Sequence, residues 1–297
     1  MSTERPRAVL AVLAAAVLFG TTGTAQALGP HGLDPLAVGA IRTVASGALL
    51  AGIAWLLGAY RGTRAPLGAV FTGGIGVAVY QLGFFSAVRT AGVAVGTVVA
   101  LGSGPVWAGL VEWLVSRTKP SANWTAATAL AVVGVCVLVL TSTEGRAGSL
   151  VGVLAALLAG LGYGVYTVIG SRLISSGQRS HGAMGLLFGA GAVLLLPVLL
   201  MRWPGGLDSP GGLTVAAYLV LVPTVVAYLL FGAGLRALPA ATVATLTLAE
   251  PVVATLLGVL VLGESITLGA MAGAVLVLGG LSLLAVPSRS RVPVAPA

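Results

Sequence analysis

The chain has 297 residues, 58% of them hydrophobic and only 7% charged, with a mean hydropathy of +1.08. Soluble domains carry about 25% charged residues, so a water-soluble fold of this length is excluded and an all-α integral membrane protein is expected. The net charge of +8 comes from arginines scattered between apolar runs, not clustered with aromatics, which argues against a nucleic-acid partner.

A spanning helix needs about 20 apolar residues, and charges and Gly/Pro clusters cut the chain into ten such pieces. The first, residues 8–28, contains LFGTTGTA and Gln26, and many similar runs follow it, so it reads as a span and not as a cleaved signal. The second, 36–58, carries Arg42 in IRTVASGALL; the third, 67–88, carries Tyr80 and Gln81. The fourth, 91–114, holds Pro105, Trp107 and Glu112; the fifth, 123–142, holds the single cysteine, Cys136, so an intrachain disulfide is excluded. The sixth, 150–171, places Tyr163 and Tyr166 three apart, on one helix face. The seventh is 182–201, and the eighth, 213–234, carries Tyr228. The ninth, 240–261, sets a carboxylate and a helix-breaker side by side as Glu250 and Pro251; the tenth is 268–286. Transmembrane strands would need alternating segments of about ten residues, and these runs are continuous and about twice that length.

Ten spans put both termini on one side. With the termini in the cytoplasm, eleven of the fifteen Lys and Arg residues fall on inner segments: Arg5, Arg7, Arg61, Arg64, Arg117, Lys119, Arg172, Arg179, Arg236, Arg289 and Arg291. Three, Arg89, Arg146 and Arg202, fall on outer ones, and Arg42 lies inside a helix. The positive-inside bias therefore selects cytoplasmic termini, with the loops near Asp34, Glu144 and Asp208 external.

Slid against itself by 146 residues, GPVWAGLVEWLV from Gly104 falls on EPVVATLLGVLV from Glu250, with Pro105 on Pro251. In the same register Leu130 meets Leu276, Gly134 meets Gly280 and Leu138 meets Leu284. The chain thus divides into two five-helix repeats, 1–145 and 146–297, within one bundle. Five is odd, so the second repeat enters the membrane from the opposite side. Inverted repeats around a central cavity are the architecture of secondary transporters.

The ten-span pattern, together with LFGTTGTA, IRTVASGALL, GYGVYTVIGSRL and above all TLAEPVVATLLGVLVLGE, resembles the EamA-type branch of the drug/metabolite transporter superfamily, YddG-like amino-acid exporters among them. The resemblance covers nearly the whole chain. It implies a cavity lined mainly by helices 1, 3, 4, 6, 8 and 9, and export of a small metabolite across the inner membrane. The sequence departs from the family at the end of the fourth helix: where Glu264 closes the ninth, the matching position is Thr118, and an acid stands earlier, at Glu112.

The candidate site follows from depth. A charge at mid-bilayer costs about 2.5–3.5 kcal/mol on insertion scales, so Glu250 is a candidate for proton binding or for holding a substrate amino group. Pro251 removes the helical partner of the Thr247 carbonyl and should kink the helix there. Gln26, Tyr80, Gln81, Trp107, Tyr163, Tyr166 and Tyr228 share the midplane, where their polar groups need partners that a cavity supplies, and with Glu250 they form the expected substrate-binding set. Arg42, Glu250, Pro105 and Pro251 form the expected gating or coupling set; the match of Arg42 to a common family arginine favours that role, and contact with a substrate carboxylate, pairing with Glu250 and snorkelling outward are its other readings. Glu112, a turn from Arg117, reads as an interfacial ion pair. Trp55, Trp113, Trp124, Trp203 and Tyr60 read as interfacial belt residues. His31 and His181 fall in expected loops, with no metal-ligand cluster or catalytic set, so neither an enzyme nor a cofactor is expected. The expected partners are a small-molecule substrate, most readily an amino acid, and membrane lipid. The oligomeric state is left open, a monomer among the options. A lipophilic drug or amine exporter and a passive channel are the alternatives.

Overall fold

The computed structural model describes residues 4–30, 35–61, 64–117, 119–141, 149–201 and 209–285. Asp34, His31, Thr118, Glu144, Arg146, Arg202, Trp203, Asp208, Arg289 and Arg291 lie outside these residues, and so do the expectations that rest on them.

Among the described residues nine membrane-length helices and a shorter apolar tenth follow one another: α1 (Glu4–Ala27), α2 (Pro35–Leu56), α3 (Leu67–Ala91), α4 (Val93–Ser116), α5 (Ala122–Thr141), α6 (Leu150–Ser175), α7 (Ser180–Met201), α8 (Pro210–Gly234), α9 (Ala240–Leu262) and α10 (Leu268–Ala285). The protein is all-α, and α10 is the shortest of the ten. Two of these helices are internally irregular. In α8, residues Leu221–Val226 widen into a π-helical turn around Pro223, where the Thr224 hydroxyl donates to the Leu219 carbonyl (2.7 Å). The helix α9 is broken into α9a (Ala240–Leu246) and α9b (Ala249–Leu262).

The packing obeys a two-fold relation. The closest helix pairs are α3 with α6, α2 with α7, α5 with α10, and α4 with α6; α1 packs on α8 and α9 as α6 packs on α3 and α4. The α5–α10 contact carries the symmetry residue by residue. A Cβ at Gly134 would lie 2.6 Å from the Val277 nitrogen and 2.8 Å from the Gly273 carbonyl. A Cβ at Gly280, 146 residues on, would lie 2.6 Å from the Ala127 carbonyl and 2.8 Å from the Ala131 nitrogen. Adding 146 to one contact generates the other, as an isologous interface requires. The repeat offset in the sequence is therefore an offset between contacts, which relates two inverted five-helix units.

Small residues hold the pairs together, because lipid offers no hydrophobic drive for helix association and close backbone approach supplies it instead. Gly76 and Gly162 face one another across α3 and α6, and Gly185 and Gly189 let α7 lie against Leu50, Ala51 and Ala54 of α2. Of the residues expected at the interface, Trp55 is exposed, whereas Trp124 packs inward. Its indole lies over Gly109 of α4, with its Nε1 buried and without a hydrogen-bond partner. His181 is likewise not in a loop but in the first turn of α7.

Candidate functional site

A cavity of about 560 Å³ lies between α1, α2, α3, α4, α5, α6, α8 and α9. Six aromatic rings stand in its wall: Phe19, Tyr80, Phe84, Phe85, Tyr163 and Tyr228. Gln26, Arg42, Glu250 and Glu264 share it. It opens at the end of the bundle where α1, α3, α5 and α9 finish and α4 begins, since Gln26, Val88, Val139, Glu264 and Val93 line that part, and Val93 and Glu264 are exposed. Towards the other end the helices close together around side chains with almost no exposure, Phe231, Thr245 and Leu246 among them.

Glu250 owes its position to the break in α9. The Leu248 and Glu250 N–H groups donate to the carbonyls of Thr245 (3.0 Å) and Thr247 (2.9 Å), so the chain tightens to three-residue turns before α9b begins. The Thr247 carbonyl, expected to lose its partner to Pro251, is thus satisfied by Glu250 itself. The tight turn also puts the kink at Thr247–Leu248, before the proline. Tyr163 hydrogen-bonds the Thr247 hydroxyl (2.8 Å), which donates or accepts across α6 and α9 and ties the break to the cavity wall. Glu250 then stands in the first turn of α9b, where the helix dipole favours a negative charge. Gly20 of α1 makes room: a Cβ there would come within 2.9 Å of the Glu250 carbonyl oxygen.

Arg42 is held by α3. Its Nη2 donates to Gln81 Oε1 at 3.4 Å, while Gln81 Nε2 donates to the Gly39 carbonyl at 2.8 Å. Arg42 Nε is buried without a hydrogen-bond partner. The guanidinium is therefore aimed by its neighbours but not consumed by them. The tyrosines are interlocked in turn: the Tyr166 and Tyr228 hydroxyls are 2.8 Å apart, and Tyr228 packs on Phe188 with ring centroids 4.1 Å apart. The π-turn of α8 ends one residue before Ala227, so it sets the rotation at which Tyr228 meets the cavity. Such turns recur at functional sites.

Of the residues expected to bind substrate, Gln26, Tyr80, Tyr163, Tyr228 and Glu250 line the cavity. Gln81 and Tyr166 stand behind the wall, as the residues that orient Arg42 and Tyr228. Trp107 packs against Gly160 and Gly164 of α6, its ring edge at Gly160, and does not line it. Among the gating set, Arg42, Glu250 and Pro251 line the cavity; Pro105 does not, and α4 runs through it unbroken. Phe19, Phe84, Phe85, Thr97, Thr255 and Glu264 line it without having been singled out as site residues. For Glu264 the signal was present, in the Leu-Gly-Glu end of the α9 motif; for the rings there was none beyond depth. Glu112 also needs correction. Its two carboxylate oxygens accept from the backbone N–H groups of Ala240 (3.2 Å) and Ala241 (2.9 Å), so it caps the start of α9 and is not an ion-pair residue for Arg117.

Comparison with known proteins agrees with this architecture. Residues 6–140 and 150–286 each match the EamA-like transporter family. The uncharacterized transporter YwfM of Bacillus subtilis is similar, with 37% identity over 282 residues that cover 95% of each chain. The uncharacterized inner membrane transporter YicL of Salmonella typhimurium is 27% identical over 298 residues, covering 96% of this chain and 97% of that one. A protein crystal structure with 22% identity superposes with a TM-score of 0.79, covering 94% of this chain and 96% of that one, and shares the fold.

Proposed function

The chain belongs to the EamA-like transporter family, and from that premise we propose that it exports small amphiphilic metabolites, amino acids foremost, by alternating access across the inner membrane with both termini in the cytoplasm. It is a membrane transporter and not an enzyme. The observation that carries the finer reading is the pairing of Glu250 and Arg42 in one aromatic-walled cavity. An α-amino acid presents an ammonium and a carboxylate on one carbon, two bonds apart. Glu250 complements the first and Arg42 the second, since guanidinium and carboxylate match in charge and planar geometry. The rings then receive the side chain. The cavity volume lies within the roughly 300–1,000 Å³ of small-molecule sites. The buried floor under Tyr228 favours a carrier over a passive channel, because a channel needs a path through it.

The aromatic walls and two carboxylates also suit a lipophilic amine, and Arg42 separates the two readings. In reconstituted vesicles, labelled amino acids should show saturable counterflow that Arg42→Gln abolishes. Amine counterflow that survives Arg42→Gln, with no amino-acid counterflow in the parent, would decide for the amine.

Two further outcomes follow from the same reading. Alanine at Tyr80, Tyr163 or Tyr228 should change the relative transport rates of bulky and small amino acids by about tenfold, from the packing area each ring removes. Competition uptake with paired substrates measures this, and an unchanged ratio in all three variants would move the specificity site elsewhere. For orientation, a cysteine replacing Lys119 in a Cys136→Ser background should resist an impermeant maleimide applied to intact cells, while one replacing Ser265 should react, because the arginine bias holds the first inside. The reverse pattern would invert the protein in the membrane.

A further inference from the structure

We propose that Glu112 and Glu264 are alternating carboxylate latches, each of which closes one end of the transport path by capping the first turn of a helix from the other repeat. This rests on the alternating-access reading above and extends it to the residues that hold each state.

The first latch is formed in the structure. Glu112, near the end of α4, accepts from both Ala240 and Ala241 at the start of α9. The residue before that turn, Pro239, supplies no side-chain cap, so the first-turn N–H groups that cannot bond within the helix are met from α4. Hydrogen bonds between N–H groups and an ionised carboxylate are among the strong ones. The contact joins the two repeats at the floored end of the cavity, below the hydrogen-bonded pair Thr128 and Thr245 (2.8 Å), which ties α5 to α9a.

The 146-residue relation places the second latch. It carries Ala240 and Ala241 onto residues 94 and 95, in the first turn of α4, and Glu112 onto Gly258. Gly258 has no side chain, yet a carboxylate stands there: a Cβ at Gly258 would run into the carboxylate of Glu264, which follows the left-handed Gly263 and folds back over α9b. Glu264 thus puts its acid where symmetry puts that of Glu112, six residues later in the chain. Its target, the start of α4, follows Gly92, which provides no side-chain cap. Glu264, Val93 and Thr97 all line the open mouth. The two ends therefore hold the same parts, in contact at the closed end and facing one another across the cavity at the open end. Closure of the mouth would seat Glu264 on α4, and the floor would open as Glu112 leaves α9.

Cysteine accessibility in reconstituted protein lacking Cys136 tests this without any substrate. Thr97→Cys reports the mouth, and the fully buried Thr245→Cys reports the floor. Each is labelled with a membrane-impermeant maleimide from each side of the vesicle. Glu112→Ala should raise the labelling of position 245 relative to 97 by about tenfold, and Glu264→Ala should shift the same ratio the opposite way. Ala240→Pro deletes one donor from the other partner. Proline suits a first helical position after an extended residue, and Pro239 has φ −57° and ψ 146°. It should shift the ratio in the direction of Glu112→Ala. Unchanged ratios, or shifts of both glutamate variants in one direction, overturn the latch pair. Labelling of both positions at once in one unmutated molecule would instead mark a continuous pore, and would overturn alternating access itself.

Discussion

Replacement of Glu250 by glutamine should leave a folded, inserted protein whose transport falls by about a hundredfold. Glutamine keeps the size of the side chain and much of its hydrogen bonding, so the close approach of Gly20 to the α9 break is undisturbed. What it removes is the negative charge at the first turn of α9b, the one place in that half-helix where the dipole favours an anion. Truncating one partner of a hydrogen-bonded charge pair costs about 2–5 kcal/mol, Glu250 and the substrate ammonium form such a pair on the proposed reading, and each 1.4 kcal/mol is tenfold, which sets the expected size. Reconstituted uptake at several pH values is the measurement. A variant with the parental rate and pH profile would make Glu250 a packing residue. A variant that fails with the ammonium-bearing substrate but retains counterflow of an uncharged analogue would assign the carboxylate to substrate binding and not to proton coupling.

Gly162→Ala should destabilise the bundle where it meets the cavity wall. A Cβ at Gly162 would lie 2.6 Å from the Gly76 carbonyl oxygen and 2.7 Å from the Tyr80 nitrogen, and both are backbone atoms that no rotamer change can move. The α3–α6 pair must therefore separate along its length. Overpacking of this kind costs about 1–3 kcal/mol, and at about 2–4 °C of Tm for each kcal/mol in a chain of this size class, the thermal transition in detergent should fall by about 5–10 °C. Tyr80 and Tyr163 stand on the two helices that separate, with ring centroids 5.9 Å apart, so substrate affinity should fall with stability. Gly23→Ala is the control: nothing lies within 4 Å of a Cβ there, although Gly23 lines the same cavity. An equal Tm loss in both variants would remove the close-approach explanation.

Several features were legible in the residues alone. The ten spans were fixed by run length, because a bilayer of set thickness demands it. The register of the repeat was fixed by Pro105 and Pro251 and by Gly134 and Gly280, whose roles are backbone roles that only those residue types fill. Glu250 announced itself because a carboxylate in lipid needs a reason. The tertiary structure alone decided how each helix is turned. Lipid and protein interior are both apolar, so these helices carry almost no amphipathic stripe to show which face looks inward. Depth could therefore group Tyr80, Tyr163, Tyr166 and Trp107, but only packing could separate Tyr80 and Tyr163 in the wall from Tyr166 behind it and Trp107 outside it. The position of the α9 break, the π-turn that aims Tyr228, and the use of Glu112 by a helix 128 residues away in the chain were decided in the same way. Each depends on a partner distant in sequence, and local pattern holds no record of such a partner.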